Sequence, residues 1–308
     1  MRKLAEIATC ALPLCQDRAA RVARGIWPSD GLLSRARLKG SRGVMFERIE
    51  RLDDPRIAAY RDIPDPELVQ SRGLFVAEGR LVVRRLIEDG RWTLQSVLVS
   101  DAARKSLEAA LDAIALRVPV YVCAAEEFLR LTGYNIHRGC LALVSRPPPL
   151  ETRVLVGRSR MIVVLEAVTN ADNVGGIFRN VAAFGADGVL LSPTCCDPLY
   201  RKAIRTSMGA VFQVPFVRGG AWPEELLRLR EACFTLVALT PREPAQTLRE
   251  FSAGPRPARM ALVVGTEGAG LSPAVERLAD VRVRIPIADG VDSLNVAVAA
   301  GIALHALL

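Results

Sequence analysis

The sequence predicts an α/β protein built in two parts, and three observations carry that prediction. Short apolar runs of strand length alternate with stretches of helical period along most of the 308 residues. The run Arg146-Pro147-Pro148-Pro149-Leu150 interrupts the alternation, because consecutive prolines hold an extended, semi-rigid spacer. Beyond it the alternation resumes with motifs placed after strands or at helix starts, the pattern of an open parallel sheet that binds ligands at its carboxyl edge. The division expected is a basic extension over 1–44, a small α/β domain over 45–145, a Pro-rich linker over 146–159 and a larger α/β domain over 160–308.

Residues 1–44 hold nine basic and three acidic residues, so +6 of the net +8 sits there and the rest of the chain carries +2. Net charge alone is therefore weak evidence for a nucleic-acid partner. Pro13, Gly25, Pro28, Gly31, Gly40 and Gly43 break any periodicity. The segment is read as a disordered or non-native extension, with a transit-like leader and a disordered RNA-binding arm as alternatives. Met45 opens a stretch that looks like an ordinary domain start.

In the first domain Ile49, Leu52, Ile57 and Tyr60 suggest an opening helix. A strand over 73–77 follows, then a helix through Leu81, Val82, Leu86 and Ile87, a strand over 96–99 and a helix near 102–115. A strand over 118–122, a short helix near 125–131 and a strand over 139–144 close the unit. In the second domain strands are expected near 161–166, 188–192, 213–217, 233–239, 261–265 and 281–285. Helices are expected near 174–185, 198–207, 223–231, 273–279 and 293–307.

No apolar run reaches the roughly 18–20 residues of a membrane span, so a soluble, cytoplasmic protein is expected. The seven cysteines show no Cys-x-x-Cys spacing, which points to reduced thiols rather than a zinc or redox site. With only His137 and His305, a histidine-based metal site is not expected.

Four blocks carry the chemistry. In Asn170–Arg179, Asn173 stands as a helix cap, with Val174, Ile177, Phe178 and Val181 on the apolar face. Gly175, Arg179, Ala182 and Ala183 share another face, where small neighbours let a nucleotide or another chain approach the guanidinium. In Arg201–Ala210, Arg205 reads as a phosphate or RNA contact or as part of a solvated face; Ser207 accompanies it, and Gly209 permits a tight turn before a strand over 212–216. In Val263–Leu271, three glycines within Gly265–Gly270 let backbone approach a ligand. This loop fits neither the dinucleotide pattern nor the phosphate loop. Glu267 within it suits a cofactor bearing positive charge, or holds loop backbone. Ser272-Pro273 reads as a cap and first helical residue. The last block is Ile285-Pro286-Ile287 followed by Ser293–Ala299. Ser293 is a candidate cap, and the helix over 294–307 is apolar nearly all round, as for a core or a dimer interface. Asn295 is its polar exception and, if buried, needs partners.

In order and spacing these blocks resemble the SpoU (TrmH-type) branch of the SPOUT methyltransferases, RNA ribose 2′-O-methyltransferases with a knotted cofactor site. The resemblance implies an α/β-knot domain with a trefoil knot near 262–308, a homodimer, and S-adenosylmethionine among the loops after the strands at 233–239, 261–264 and 281–285. Thr240, Gly265, Ile285, Ile287 and Leu294 match the cofactor positions; Arg179, Asn173, Glu267, Ser293 and Asn295 match the catalytic ones; Arg205 and Ser207 match an RNA contact. It implies that Arg179 is essential. A guanidinium keeps its proton at neutral pH, so a phosphate clamp is easier to defend than a base, and both stay open. No metal is implied. The first domain is similar, through Phe75–Gly79 and Arg138–Ala142, to the substrate-binding domain often joined to these enzymes, which is itself similar to ribosomal proteins that bind bent RNA helices. The extra domain leans the substrate toward rRNA rather than tRNA. Members commonly have Ser where this chain has Ala297. That departure supports a rival reading, a catalytically inactive RNA-binding protein on the same fold. The other rival, a different nucleotide enzyme on an open sheet, lacks its motifs.

Overall fold

The computed structural model describes residues 46–61, 63–132 and 139–308; the 1–44 extension, Met45, His137 and Arg138 lie outside the described residues. Strands β1 (Glu47–Arg48), β2 (Leu74–Glu78), β3 (Leu94–Ser100), β4 (Val120–Cys123) and β5 (Cys140–Ser145) form one sheet in the order β1-β4-β3-β5-β2. β5 runs antiparallel to β3 and β2, while β1 and β3 are parallel to β4. Helices α1 (Ala58–Arg61), α2 (Arg80–Asp89), α3 (Asp101–Ser106), α4 (Glu108–Ile114) and α5 (Ala125–Thr132) connect these strands.

Two expectations need correction here. The opening helix is only half present: residues 47–48 are a strand, and helical backbone starts at Pro55, where the Asp54 side chain accepts from Arg56 N, and runs through Ile57 and Tyr60. Ile49, Ile57 and Tyr60 share one core cluster, so the spacing of Ile49 and Leu52 reported burial beside a strand while Ile57 and Tyr60 are helical. The helix near 102–115 breaks at Leu107, whose φ of −116° leaves helical geometry while its side chain stays buried.

The second sheet comprises β6 (Met161–Leu165), β7 (Gly188–Leu191), β8 (Phe216–Arg218), β9 (Thr235–Leu239), β10 (Gln246–Thr247), β11 (Met260–Val264) and β12 (Val281–Arg284). Every pairing is parallel, in the order β10-β12-β9-β11-β6-β7-β8. β6, β7 and β11 are buried along their whole length, as strands covered on both faces must be. Helices α6 (Thr152–Arg158), α7 (Ala171–Phe184), α8 (Arg201–Thr206), α9 (Glu225–Glu231), α10 (Leu248–Ala253), α11 (Pro273–Leu278) and α12 (Val296–Leu307) accompany it.

Helix α6 occupies half of the stretch expected to be linker. β10 and α10 were not expected, although Thr247 and Glu250 make a reciprocal capping box. Gly209 takes a left-handed conformation at φ 79°, but a 3-10 turn over Ala210–Phe212 follows it, and the strand waits until Phe216.

After β12 the chain returns to the loop that follows β11, where Asn295 donates to Glu267, and lays α12 against α7. The two helices meet closely. A Cβ on Gly176 would lie 2.8 Å from Ala297 Cβ, and one on Gly301 would lie 2.9 Å from Asn180 Nδ2. Asn180 Nδ2 donates to Ala297 O at 2.7 Å across this seam. The two sheets are joined by packed rings, with Phe212 stacked on Phe75 and edge-on to Trp92, and by Arg201, which pairs with Asp65 and donates to Tyr60 O. Among the described residues no helix is long and apolar enough to cross a membrane.

Candidate active site

The site grows from the N-terminus of α7, at the carboxyl end of β6. Asn170 caps this helix, its side chain accepting from Asp172 N at 2.9 Å; Asn173, expected as the cap, lies inside the first turn and is 5% exposed. Its Oδ1 accepts from Asn295 Nδ2 at 2.8 Å. The same Nδ2 donates to Glu267 Oε1 at 2.8 Å. Asn295 Oδ1 accepts from Ala297 N and Val298 N at 3.0 and 3.2 Å, so Asn295, not Ser293, caps α12. Two backbone donors on one end of this amide identify that end as oxygen, and both acceptors then face the nitrogen. Asn295 is exposed rather than buried, yet every part of its amide is engaged.

Glu267 sits on a tight loop after β11. A Cβ on Gly265 would fall 2.3 Å from Gly270 C, so only glycine lets this loop close. Arg242, after β9, fastens the loop from outside by donating to Ala269 O at 2.7 Å and Leu271 O at 3.2 Å. Arg242 also reaches Glu276 Oε1, which accepts from Thr240 Oγ1 at 3.1 Å. Thr240 is therefore a strut: it is 4% exposed, its hydroxyl holds Glu276 and its N–H bonds Val283 O.

Ile285, Ile287 and Leu294, in the segment between β12 and α12, are half-buried. Ser293 is exposed and outside the amide cluster, with no hydrogen-bond partner among the described residues. Arg179 is also exposed, and its guanidinium makes no ion pair or hydrogen bond among the described residues. It lies one turn beyond Gly175, where a Cβ would meet Ala203 O of α8 at 2.6 Å. Asp172 anchors α8 to α7 by accepting from Thr206 Oγ1 at 2.9 Å and pairing with Lys202 at 2.7 Å; the Lys202 hydrogen bond holds its carboxyl below the usual range. Arg205 pairs with Glu78 at 3.5 Å. Ser207, expected at the RNA surface, is 1% exposed and donates to Ile204 O, so its hydroxyl serves the end of α8 instead.

Two residues were missed by the sequence reading, Arg242 and Glu166. Glu166 is 6% exposed at the end of β6; it accepts from Trp222 Nε1 at 3.0 Å, Ser272 N at 2.8 Å and Ser272 Oγ at 2.7 Å. An acid ending a wholly apolar strand was the available signal, since a buried carboxylate must be partnered. Ala297 lies in the α7–α12 seam and joins the cluster through its backbone N–H. No group of three or more potential metal-ligating residues occurs among the described residues.

Residues 160–305 match the model of the SpoU rRNA Methylase family. The chain is 41% identical over 257 residues to an uncharacterized tRNA/rRNA methyltransferase of Mycobacterium tuberculosis, a match that covers 82% of this chain and 88% of that one. A Synechocystis protein of the same description is 29% identical, covering 81% and 93%. Among solved structures, an RNA 2′-O ribose methyltransferase superposes with a TM-score of 0.69 at 26% identity, over 84% of this chain and 97% of that one. An AdoMet-bound rRNA methyltransferase from Sinorhizobium meliloti shares the fold, with a TM-score of 0.72 at 24% identity, over 86% and 98%. With its parallel sheet, its linked motif loops and these relatives, the chain belongs to the SpoU rRNA methylase family.

Proposed function

We propose that this protein transfers a methyl group from S-adenosylmethionine to a ribose 2′-hydroxyl of structured RNA, with rRNA favoured over tRNA. The observation that carries the reading is the Asn295 bridge, which joins the α7 motif to the Gly-rich loop at the carboxyl edge of the sheet; further along α7, Arg179 is exposed and has no ion pair among the described residues. The residues at the loops after β9, β11 and β12 fit the cofactor. Gly265 has no room for a side chain, so backbone faces the ligand, and Ile285, Ile287 and Leu294 offer apolar walls for adenine. Glu267, steadied by Asn295, offers a carboxylate to the positive methionine moiety. When bound, S-adenosylmethionine supplies an electrophilic methyl on a sulfonium.

The chain's own work is to align a hydroxyl. Arg179, with no carboxylate neutralising it among the described residues, is placed to grip an RNA phosphate with its planar fork and hold the adjoining ribose for attack. Asn173 and Asn295 keep the start of α7, the Glu267 loop and α12 in one register. Ser293, exposed two residues before Asn295, is kept as a catalytic candidate, and Thr240 holds Glu276 beside the loop that Arg242 fastens. The extra five-stranded domain favours rRNA. A homodimer formed through α7 and α12 completes the proposed assembly. The inactive-protein alternative rested on Ala297, which packs in a helix seam where its small size is used.

The test is transfer of label from S-adenosylmethionine into unmodified total RNA, separated into rRNA and tRNA, with Arg179→Ala beside the wild type. Label resistant to alkaline cleavage at the modified nucleotide, in rRNA, and lost in the variant is the expected result. Cofactor binding without label in any RNA would turn the reading to the inactive RNA-binding protein.

A further inference from the structure

Glu166 touches the Gly-rich loop at both of its ends. Its N–H donates at 2.9 Å to the carbonyl of Val264, the last residue of β11 before Gly265. Its side chain takes the other end: Oε2 accepts from Ser272 N at 2.8 Å and Oε1 from Ser272 Oγ at 2.7 Å, one residue past Leu271. Both feet of the loop, Val264 and Ser272, therefore rest on one residue. The ladder between β6 and β11 is already complete from Met161 to Leu165, so the carboxylate adds nothing to it. It reaches past the strand end, to the far foot.

Between the feet the loop doubles back on itself. Gly270 N donates to Thr266 O at 3.0 Å and Ala269 N to Glu267 O at 3.1 Å. This small turn carries Glu267, which accepts from Asn295. A shift of either foot is thus passed to Glu267 and to the backbone around Gly265. Glu166 is itself fixed. Trp222 Nε1 donates to Oε1 at 3.0 Å, so three donors meet its two oxygens. Ala167, next in sequence, stands at φ 54°, a left-handed conformation that costs free energy for any residue with a Cβ. Its N–H donates to Ser192 Oγ at 2.9 Å. Strain of this kind persists only where the surroundings over-determine it.

We propose that Glu166 is a positioning residue: it clasps the two feet of the Gly-rich loop and so holds the loop in the shape that receives its ligand. That the ligand is S-adenosylmethionine rests on the methyl-transfer reading above. Arg242 grips carbonyls between the feet from outside, and Glu166 sets the feet themselves.

The experiment uses the full chain and the isosteric variant Glu166→Gln. A glutamine amide has one oxygen and one NH2 group, so whichever way it turns a donor faces a donor. Asp187→Ala is the comparison. Asp187 Oδ2 accepts from Arg160 N and Met161 N at 2.7 and 2.9 Å, at the amino end of β6, so its loss weakens the same strand away from the loop. Glu166→Gln should raise the calorimetric dissociation constant for S-adenosylmethionine about tenfold, the scale of one buried hydrogen bond lost. In RNA methylation the KM for cofactor should rise alike, with the KM for RNA and kcat at saturating cofactor nearly kept. Hydrogen exchange should quicken at residues 265–272 while β6 and β11 keep their protection. Ser272→Ala, which removes only the hydroxyl donor, should move cofactor affinity the same way by less. Asp187→Ala should lower the unfolding temperature and leave cofactor affinity and loop exchange unchanged. Wild-type loop exchange and cofactor affinity in Glu166→Gln would overturn the proposal. Equal loss of cofactor affinity in Asp187→Ala would overturn it too, since general weakening of the strand would then suffice. Faster loop exchange in Glu166→Gln, in a protein whose wild type binds no S-adenosylmethionine, would sink the reading above and leave the clasp standing.

Discussion

Asn295 caps α12 and braces two loops with one amide, so its substitutions separate stability from chemistry. Alanine removes the cap, worth about 1 kcal/mol, and strips the donor from Asn173 Oδ1, a buried acceptor whose loss of partner costs about 1–3 kcal/mol. Asn295→Ala should therefore lower the urea-unfolding free energy by about 2 kcal/mol or more. Asn295→Asp keeps an equally good cap but, like alanine, leaves Asn173 Oδ1 without its donor and adds a carboxylate facing Glu267, so it should lose methyl transfer although the α12 cap is intact. Wild-type turnover in the aspartate variant would remove Asn295 from the site. Asn173, Glu267 and Asn295 were singled out in the sequence through the resemblance of their blocks to one family, and the structure joins them through a single amide. Which asparagine caps α7 was not legible, since Asn170 and Asn173 both suit a cap and periodicity does not choose between them. Glu166 stayed hidden because its partners, Trp222 and Ser272, lie 56 and 106 residues away.

Among the elements, the loops after β9 and β11 are held together by Arg242, which spans from one to carbonyls of the other. The guanidinium is half exposed, so solvent screens much of its worth, yet it is the tie that shapes the Gly-rich loop. Arg242→Ala should raise the dissociation constant for S-adenosylmethionine about tenfold, near 1.4 kcal/mol, with turnover at saturating cofactor much less affected. Equal affinity in calorimetry would show that the loop holds its shape without this tie. The strands beneath were legible because burial on both faces writes them as apolar runs. β1 and β10, two residues each, are too short to show any period. α6 was hidden by the prolines that precede it, and Leu107 continued a helical pattern across a backbone that breaks there.

At the scale of the whole molecule, the contacts between the two sheets were illegible for one reason: Arg201 finds Asp65 and Tyr60 O across some 140 residues, and no local pattern encodes such pairs. The same scale holds an apolar surface that the single chain leaves open. α12 is apolar around its circumference, but it buries Ala300, Ala303, Leu304 and Leu307 while Val298 stays 52% exposed and Ile302 40%. Phe184 of α7 lies alongside at 37%, its ring centroid 5.7 Å from that of His305. Large aliphatic side chains grouped on one face lose about 1.5–3 kcal/mol each by remaining in water, which a second copy of the same face would recover. A charge placed at its centre would have to be desolvated in that interface without a partner. Ile302→Asp should therefore shift the protein from dimer to monomer in sedimentation equilibrium. Leu116→Asp, at an isolated apolar residue 72% exposed on the other domain, should leave the mass unchanged. A wild type that sediments as a monomer, or an Ile302→Asp variant that remains a dimer, would take the interface away from α7 and α12.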